Sequence, residues 1–265
     1  MFRRFALLAF VPTALLLTPR VVPASMSPGC ADKPCAECHT LDRAEAEKLL
    51  LGLVDRVVAV RNGAVPGFYE LDLEKGGRKL PVYLHYSKRY LVTGDVVDLK
   101  TQQSLTNERM IDLNRVDVAT IPLDDAVVIG DPNAAVKIIV FDDPECPFCQ
   151  KIHPEMKAVV AQRPDVAFWI KLLPLKIHPN ARKKAEAIIC AKSAQMLEDS
   201  LAGKELPEPS CETDQVDKNE REASRLGVRS TPTLILPDGR VMPGYKPAAK
   251  ILGLLAEGKG EQAKK

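Results

Sequence analysis

Aromatic residues and an excess of charge of one sign are both scarce in this chain. Phe, Trp and Tyr make up 5% of its 265 residues, and 37 basic side chains nearly balance 35 acidic ones. The resulting net charge of +2 offers no electrostatic reason to expect binding to nucleic acid or to a charged membrane surface. No internal repeat appears, and an apolar content of 46% is ordinary for a soluble protein. At this length we expect one large domain or two modest ones.

Long hydrophobic runs are lacking too, except at the N-terminus. Arg3 and Arg4 precede an apolar stretch, 5–17, which Pro12 interrupts, and Ala24 ends a segment typical of a cleavage site. This pattern predicts a secretory signal peptide over 1–24, with an uncleaved anchor as the alternative. We therefore expect an exported protein, located in an oxidising compartment in which disulfides persist.

Two of the seven cysteines, Cys146 and Cys149, form the most informative motif of the chain. A β-branched run, 138–140, precedes them, and the segment 150–162 that follows has a helical pattern. A Cys-x-x-Cys between a strand and a helix is typical of a thioredoxin-type redox site. Cys146, at the helix N-terminus, is expected to be the more acidic thiol, because unpaired backbone N–H groups stabilise a thiolate there. A stapling disulfide or half of a zinc site are the alternatives, and zinc would need two further ligands.

The two halves of the chain show different patterns. Short alternating segments before 104 predict a small helix-plus-sheet module, whereas strands alternating with helices after 136 predict an α/β domain. Between them, 118–133 contains prolines and a glycine and is interpreted as a linker, and 180–201 is interpreted as one long helix. The predicted divisions are 1–24 signal peptide, 25–104 N-terminal domain with a cysteine cluster, 105–135 helical linker, 136–257 thioredoxin-like domain and 258–265 flexible tail.

Two further features support a redox interpretation. Thr231-Pro232 precedes an apolar strand, at the position where thioredoxin-like domains carry a cis-proline loop that faces the Cys-x-x-Cys and pairs with substrate backbone. An ordinary trans proline at a strand start is the alternative. Cys190 and Cys211 flank a helix and a Pro-rich loop and are interpreted as a structural disulfide, with two unrelated thiols as the alternative.

These motifs together resemble a known family. The segments 139–149, 187–190 and 226–233 and the hairpin 237–245 are similar to the catalytic domain of the DsbC/DsbG family of periplasmic disulfide isomerases. More weakly, 65–71, 90–94 and 104–110 resemble that family's cystatin-like dimerisation module and helical linker. The resemblance implies a fold class: an α/β thioredoxin-like catalytic domain preceded by a small α+β cystatin-like dimerisation domain and a helical linker.

The resemblance also implies an activity and partners. Reduced Cys146 would attack non-native disulfides in misfolded exported proteins, and Cys149 would release a stalled substrate in reduced form. A DsbD-type membrane thiol reductase would keep the pair reduced, and the protein would be a homodimer that needs no cofactor. Pro147-Phe148 is closer to the DsbG branch, so a DsbG-like reductase or chaperone is an alternative. A dithiol donor to another pathway, such as reduction of apocytochrome cysteines, is a further one.

A cluster near the N-terminus departs from the family. Cys35-x-x-Cys38-His39 has the spacing of a c-type haem attachment site, with Cys30 as an additional thiol. A haem-bearing electron-transfer protein on a thioredoxin scaffold is therefore an alternative function. A second dithiol, a local disulfide or a metal site are the other interpretations of the cluster.

The charged groups around the Cys-x-x-Cys are predicted to be surface or helix-start residues. Asp142, Asp143 and Glu145 would oppose thiolate formation and are interpreted as solvated loop charges or helix-start groups. His153 and His178 are interpreted as surface or helix-start residues.

Overall fold

A computed structural model of the protein describes residues 38–262, with side chains as far as 258. The chain divides between Thr40 and Leu41 into two units, and the fold described here is that of the second unit. The predicted signal peptide, 1–24, and most of the predicted tail, 258–265, lie outside the residues or side chains described. Within the described part of the chain, no helix is both long enough and apolar enough to cross a membrane.

The first half of this unit is a helix packed on an antiparallel sheet with strand order β1-β2-β3-β4. Asp42 caps the helix by accepting a hydrogen bond of 2.7 Å from the backbone N–H of Glu45. One sheet face and the helix bury an apolar core that includes Val57, Leu71 and Leu84. The elements are α1 Arg43–Leu49, β1 Arg56–Asn62, β2 Phe68–Lys75, β3 Arg78–His85 and β4 Leu91–Val92.

A small ribbon and a helix complete this half. The elements are β5 Val97–Asp98, β6 Gln103–Ser104 and α2 Leu105–Leu113. The buried carboxylate of Asp72 on β2 joins α2 to the sheet, because it binds Arg61 at 2.5 Å and Arg109 of α2 at 2.6 Å. Two guanidinium groups compensate the desolvation of one carboxylate, and they lower the pKa of Asp72 although burial alone would raise it.

The second half is a five-stranded mixed sheet with order β11-β10-β8-β9-β7 and helices around it. β8 and β9 are parallel, and the other neighbours are antiparallel. The strands are β7 Val127–Ile129, β8 Val136–Asp142, β9 Val166–Leu172, β10 Thr233–Ile235 and β11 Val241–Pro243. The helices are α3 Pro147–Gln162, α4 Ala181–Ala191, α5 Ala194–Leu201, α6 Gln215–Arg225 and α7 Ala248–Gln262. The predicted α/β architecture is therefore present.

Alternate residues of β8 enter different cores. Ile138 and Val140 pack with α3 in one apolar cluster, while Ile139 and Phe141 enter another. Because side chains alternate across a strand, Asp142 lies on the same face as Ile138 and Val140, towards α3. A carboxylate therefore ends an otherwise apolar row beneath the Cys-x-x-Cys.

Two sequence interpretations differ from the structure. The predicted linker over 118–133 contains β7, an edge strand that pairs with β9, as well as a short 3-10 turn at Val118–Thr120. The predicted long helix over 180–201 is broken in two. Lys192 ends α4 in the left-handed conformation with φ of 48°, and Ser193 caps α5 by accepting a hydrogen bond of 3.2 Å from the N–H of Met196.

Candidate active site

The Cys-x-x-Cys lies where β8 passes into α3. Cys146 is the N-cap residue of α3 and Pro147 its first helical residue, a position at which proline costs no hydrogen bond. The carbonyl of Cys146 accepts the first helical hydrogen bond, 3.0 Å from the N–H of Gln150. The strand thus delivers Cys146 to the positive end of the helix, and Cys149 follows one turn later on the inner face.

Both sulfurs are unpaired and sheltered. Cys146 is 5% exposed and Cys149 is fully buried, and neither forms a disulfide. The Thr231-Pro232 peptide bond is cis, and the carbonyl oxygen of Thr231 lies 3.5 Å from Sγ of Cys146. The structure therefore brings together the four residues Cys146, Cys149, Thr231 and Pro232 that the sequence singled out.

The surroundings of the two thiols push their pKa values apart. The pKa of Cys146 is lowered to about 5, and the largest cause is a hydrogen bond from the thiol of Cys149. Burial opposes this effect. The backbone N–H groups of Cys149 and Phe148 and the side chain of Thr231 lower the pKa further. Burial raises the pKa of Cys149 well above its ordinary value, and the neighbouring Cys146 and Asp142 raise it further. Cys146 is thus the ionised thiol and Cys149 the protonated one.

The hydroxyl of Thr231 has no hydrogen-bond partner although its oxygen is buried. A buried hydroxyl without a partner is costly, and the side chain of Thr231 is among the groups that lower the pKa of Cys146. A thiolate at Cys146 would accept this hydrogen bond, whereas a thiol at Cys146 instead donates to the carbonyl of Thr231.

A buried row of charged groups runs beneath Cys149. Asp142 and His153 are 0% and 2% exposed, and Oδ2 of Asp142 lies 2.6 Å from Nε2 of His153. Nδ1 of His153 lies 2.8 Å from Oε1 of Glu198 on α5, which also binds Lys157 at 2.8 Å. Burial alone would lower the pKa of His153, but its hydrogen bonds with Asp142 and Glu198 raise it. The predictions of a solvated Asp142 and a surface His153 are therefore wrong.

Asp143 ties the loop before Cys146 to the segment after β9. Its fully buried carboxylate accepts hydrogen bonds from the N–H of Glu145 at 2.8 Å and the N–H of Leu175 at 2.6 Å, and it lies 2.8 Å from Nδ1 of His178. Glu145 binds Lys184 at 2.8 Å. The interpretation of Asp143 as a solvated charge is wrong, because backbone N–H groups and a histidine replace water around it.

A positional signal for these buried groups was present in the sequence. Cys149 and His153 are four residues apart on α3 and therefore share the helix face that points inward. Asp142 shares a strand face with two core residues, as described above. Glu198 had no such signal, because it reaches the site from another helix.

The remaining cysteines lie in other parts of the chain. Cys190 and Cys211 form a disulfide with a Cα–Cα distance of 5.6 Å. Cys38 is disulfide-bonded. Cys30 and Cys35, the other cysteines of the N-terminal cluster, lie outside the described residues. His39 is exposed.

Metal binding finds no further support in the part of the chain that the structure describes. Within residues 38–262, no group of three or more His, Cys, Asp or Glu side chains is arranged to hold a metal ion. The half-site of zinc considered for Cys146 and Cys149 lacks its other ligands there.

Comparison with known proteins relates this chain to thioredoxin-like proteins. The thioredoxin-like domain family matches residues 123–259. A probable thiol:disulfide interchange protein DsbC of Bordetella avium is 27% identical over 70% of this chain and 64% of its own length, and DsbC of Escherichia coli is 27% identical over 66% of this chain and 73% of its own. The alignment thus spans less than two thirds of the Bordetella protein.

A solved structure is also similar. The disulfide interchange protein from Neisseria gonorrhoeae has a TM-score of 0.45 and 27% identity, covering 52% of this chain and 97% of its own. The predicted resemblance to disulfide interchange proteins of the DsbC type is confirmed by the curated relatives. Because the matched family covers more than half of the sequence, the chain belongs to the thioredoxin-like family.

Proposed function

We propose that this protein is an exported thiol:disulfide isomerase and reductase acting through the Cys146–Cys149 dithiol. The observation that carries the proposal is that the two neighbouring thiols differ in acidity and in burial. One is an acidic thiol at a helix N-terminus beside a cis-proline, and the other is a buried thiol one turn later. The names of the DsbC relatives point in the same direction.

The proposed reaction begins with the thiolate of Cys146. It attacks a disulfide of the substrate, forms a mixed disulfide and releases the other substrate sulfur as a thiolate. In isomerisation, that thiolate or another substrate thiolate attacks elsewhere, and a new substrate disulfide forms while Cys146 leaves unchanged. In reduction, Cys149 attacks the sulfur of Cys146, so that the substrate leaves reduced and the enzyme acquires a Cys146–Cys149 disulfide.

Thr231 and Pro232 are proposed to bind the substrate backbone. The carbonyl of Thr231 lies beside Cys146, where an extended substrate segment could pair with it as an added strand. The side chains of Phe148 and Ile177 are 56% and 77% exposed. Such exposed apolar groups can contact an unfolded substrate, because an unfolded chain exposes the apolar residues that folding would bury. The Cys190–Cys211 disulfide is proposed to have a structural role.

The N-terminal domain, 25–104, is proposed to be a cystatin-like dimerisation module that joins the catalytic domain, 136–257, through 105–135. Large apolar side chains exposed on it support an interface with a second copy: Leu51 85%, Leu53 55%, Tyr90 59%, Val97 44% and Leu99 88%. β4 is also an end strand of its sheet, so its outer edge is available for pairing. A homodimer would place two Cys146 sites on one substrate.

Export to the periplasm and a DsbD-type membrane reductase complete the proposal. An isomerase needs a reduced Cys146, and an oxidising compartment supplies disulfides but not reducing equivalents. Electrons must therefore arrive from a dedicated thiol donor. Misfolded exported proteins with disulfides are the proposed substrates.

The test compares three forms of the full-length protein: wild type, Cys146→Ser and Cys149→Ser. Each is added to a scrambled, disulfide-rich protein in a glutathione buffer, and recovery of native activity is measured. We expect wild type to accelerate recovery, Cys149→Ser to retain part of this isomerisation while losing insulin reduction, and Cys146→Ser to lose both. Full recovery with Cys146→Ser would refute the proposal. Suppression of aggregation by Cys146→Ser, without recovery, would instead indicate a chaperone.

A further inference from the structure

A groove that the proposed reaction does not use lies between α2 and the five-stranded sheet. It encloses about 630 Å³, and ligand pockets typically have volumes of about 300–1,000 Å³. Its walls come from the turn between β2 and β3, from α2 and the segment after it, from the end of α6 and the loop that follows, and from β10 and β11. Both halves of the chain therefore contribute to the groove.

Hydrogen bonds hold the walls of the groove together. The side chain of Asn114, at the end of α2, accepts from the N–H of Lys79 at 3.2 Å and donates to the carbonyl of Lys79 at 2.8 Å, which ties α2 to β3. The N–H of Val116 donates to the carbonyl of Gly239 at 2.9 Å, which ties the segment after α2 to the turn between β10 and β11. The groove is therefore formed before any ligand binds.

The charged side chains that line the groove are all of one sign. Among the residues that the structure describes there, none is Asp or Glu, and five are basic: Arg78, Lys79, Arg115, Arg225 and Arg229. Two of these cations bind carboxylates outside the lining. Arg115 binds Asp112 at 2.8 Å. Arg225 binds Glu222 at 2.6 Å.

The other three cations have no such compensation. Within residues 38–262, Arg78, Lys79 and Arg229 form no ion pair, and Arg78 and Arg229 are exposed. The chain as a whole carries a net charge of only +2, so this surplus of positive charge is local. A cleft lined by charge of one sign concentrates ligands of the opposite sign. The groove therefore favours an anionic ligand.

Apolar side chains line the same groove and narrow the choice of ligand. Leu226 and Val228 are buried, and Ile111, Val116 and Val241 are partly buried. An inorganic anion would leave these apolar groups without a partner. None of the lining residues that the structure describes is aromatic, so single-stranded nucleic acid would lack the side chains on which its bases stack. A polypeptide segment with both carboxylates and apolar side chains matches the lining best.

The groove begins beside the cis-proline loop. Thr233, one of its lining residues, directly follows Pro232, and Arg229 comes two residues before Thr231. Thr233 also pairs with Pro243 of β11, another lining residue. A substrate segment that pairs with the backbone at Thr231 is therefore next to the groove.

We propose that this groove binds an acidic, extended segment of the substrate polypeptide while the substrate disulfide is at Cys146. This inference rests on the proposed function and names the substrates that it favours. Guanidinium groups bind carboxylates through paired hydrogen bonds, and the apolar side chains between those carboxylates contact the apolar lining. Binding at the groove raises the effective concentration of the disulfide at Cys146. Acidic substrates should therefore have a lower KM with an unchanged kcat.

A binding experiment tests the groove without any disulfide chemistry. The probe is a fluorescent, cysteine-free peptide of alternating Glu and Val, and its binding to the full-length protein is followed by fluorescence anisotropy. We expect it to bind about tenfold more tightly than the same peptide with Gln or Lys in place of Glu, and to weaken as salt is added. Equal affinity for the Glu and Lys peptides would overturn the proposal. Displacement of the Glu peptide by single-stranded DNA at a lower concentration than by unlabelled peptide would overturn it in favour of nucleic acid.

Two double variants with the same change in net charge locate the binding. Arg78→Glu with Arg229→Glu reverses two exposed cations of the groove and should weaken binding of the Glu peptide about tenfold or more. Lys100→Glu with Arg221→Glu reverses two exposed cations outside the lining, and should leave the affinity within about twofold of wild type. An equal loss in both double variants would overturn the proposal. If the first does not fold, Arg78→Gln with Arg229→Gln replaces it and should lose affinity in the same direction, several-fold; unchanged affinity there would overturn the proposal.

Turnover kinetics separate this inference from the proposed function. The substrates are two peptide disulfides, one with Glu-rich segments on both sides of its cysteine and one with Gln in place of Glu, reduced by the protein with dithiothreitol as the electron donor. We expect wild type to show a KM about tenfold lower for the Glu peptide at equal kcat, and this difference to vanish in Arg78→Glu with Arg229→Glu. Equal KM values in wild type would overturn the inference. Failure of wild type to reduce either peptide would instead refute the proposed function, and the cysteine-free peptide would still test the groove.

Discussion

The low pKa of Cys146 leads to a quantitative prediction about its reactivity. A thiol with an ordinary pKa of 9.0 is about 1% ionised near neutral pH, whereas Cys146, with a pKa of about 5, is almost fully ionised. Ionisation alone would therefore speed attack about 100-fold. A less basic thiolate is also a weaker nucleophile, and a Brønsted slope of about 0.45 over this shift costs about 60-fold.

The two effects nearly cancel at neutral pH, so the benefit of the shift must appear elsewhere. Towards acid, the ordinary thiol loses its thiolate while Cys146 keeps it. At about pH 5.5 the fraction ionised favours Cys146 more than 2,000-fold, which leaves a net advantage of about 40-fold after the Brønsted loss. A low pKa also makes Cys146 a better leaving group, so that mixed disulfides with substrate open readily.

The assay uses dithiobis-nitrobenzoate, a chromogenic aromatic disulfide, and follows the first thiolate released, which reports attack by Cys146. The rate is measured across pH on the protein and on a small thiol of ordinary pKa. We expect the protein's rate to be flat from slightly acidic to alkaline pH and to fall only around pH 5, while the small thiol's rate rises about tenfold per pH unit. Cys149→Ala should move the protein's midpoint upward, because it removes the largest cause of the shift. A protein midpoint close to that of the small thiol, or no upward movement in Cys149→Ala, would refute this account of the site.

Three stability predictions follow from other contacts. Replacing both Cys190 and Cys211 by Ala opens a loop with a sequence separation of 21, and should cost about 3 kcal/mol in denaturant unfolding; a loss below about 1 kcal/mol would contradict the loop-closure estimate. Lys171→Met leaves the buried carboxylate of Asp125 without its ion-pair partner at 2.5 Å, while the amide of Asn219 still donates to it, and should cost about 3–5 kcal/mol. Adding Asp125→Leu should recover part of this loss, and a double variant less stable than the single one would be the contrary result. The pKa of Cys146 is lower in the folded state than in the unfolded state, so ionisation of Cys146 stabilises the reduced folded protein. This stabilisation is complete above the unfolded pKa and is lost as pH falls through about 5. The stability difference between reduced wild type and Cys146→Ser should shrink over that range, and a constant difference would argue against it.

The α/β architecture could be predicted because local patterns determine it. The β-branched run before Cys146 and the helical pattern after it place the Cys-x-x-Cys at a strand-to-helix junction without any tertiary information. The edge strand β7 was missed for the opposite reason. It has three residues among prolines and a glycine, and only its pairing with β9 identifies it as a strand.

The break at Lys192 between α4 and α5 was not predicted, for a related reason. Lysine is a good helix former, and nothing in its side chain signals the left-handed conformation that it adopts. Ser193 is the better signal, since serine before an apolar helical pattern is a favoured N-cap. Residue type alone therefore left the break undecided.

The charged groups beneath the site show where residue types mislead. Asp142 and Asp143 look like loop charges by composition, yet both are fully buried because His153, His178 and backbone N–H groups satisfy them. Their histidine partners come from α3 and from the segment after β9, which are close only in the folded chain. The nucleophile could thus be predicted from a local motif, whereas the groups around it depend on long-range packing.

The central claim is that Cys146 forms the covalent bond with substrate and Cys149 resolves it. The most direct test is to mix an unfolded, disulfide-containing protein with reduced Cys149→Ser and, separately, with reduced Cys146→Ser, quench with acid and map adducts by mass spectrometry. The account predicts a mixed disulfide on Cys146 that accumulates in Cys149→Ser, and little adduct in Cys146→Ser. Equal adducts in both variants, or none on Cys146, would contradict it.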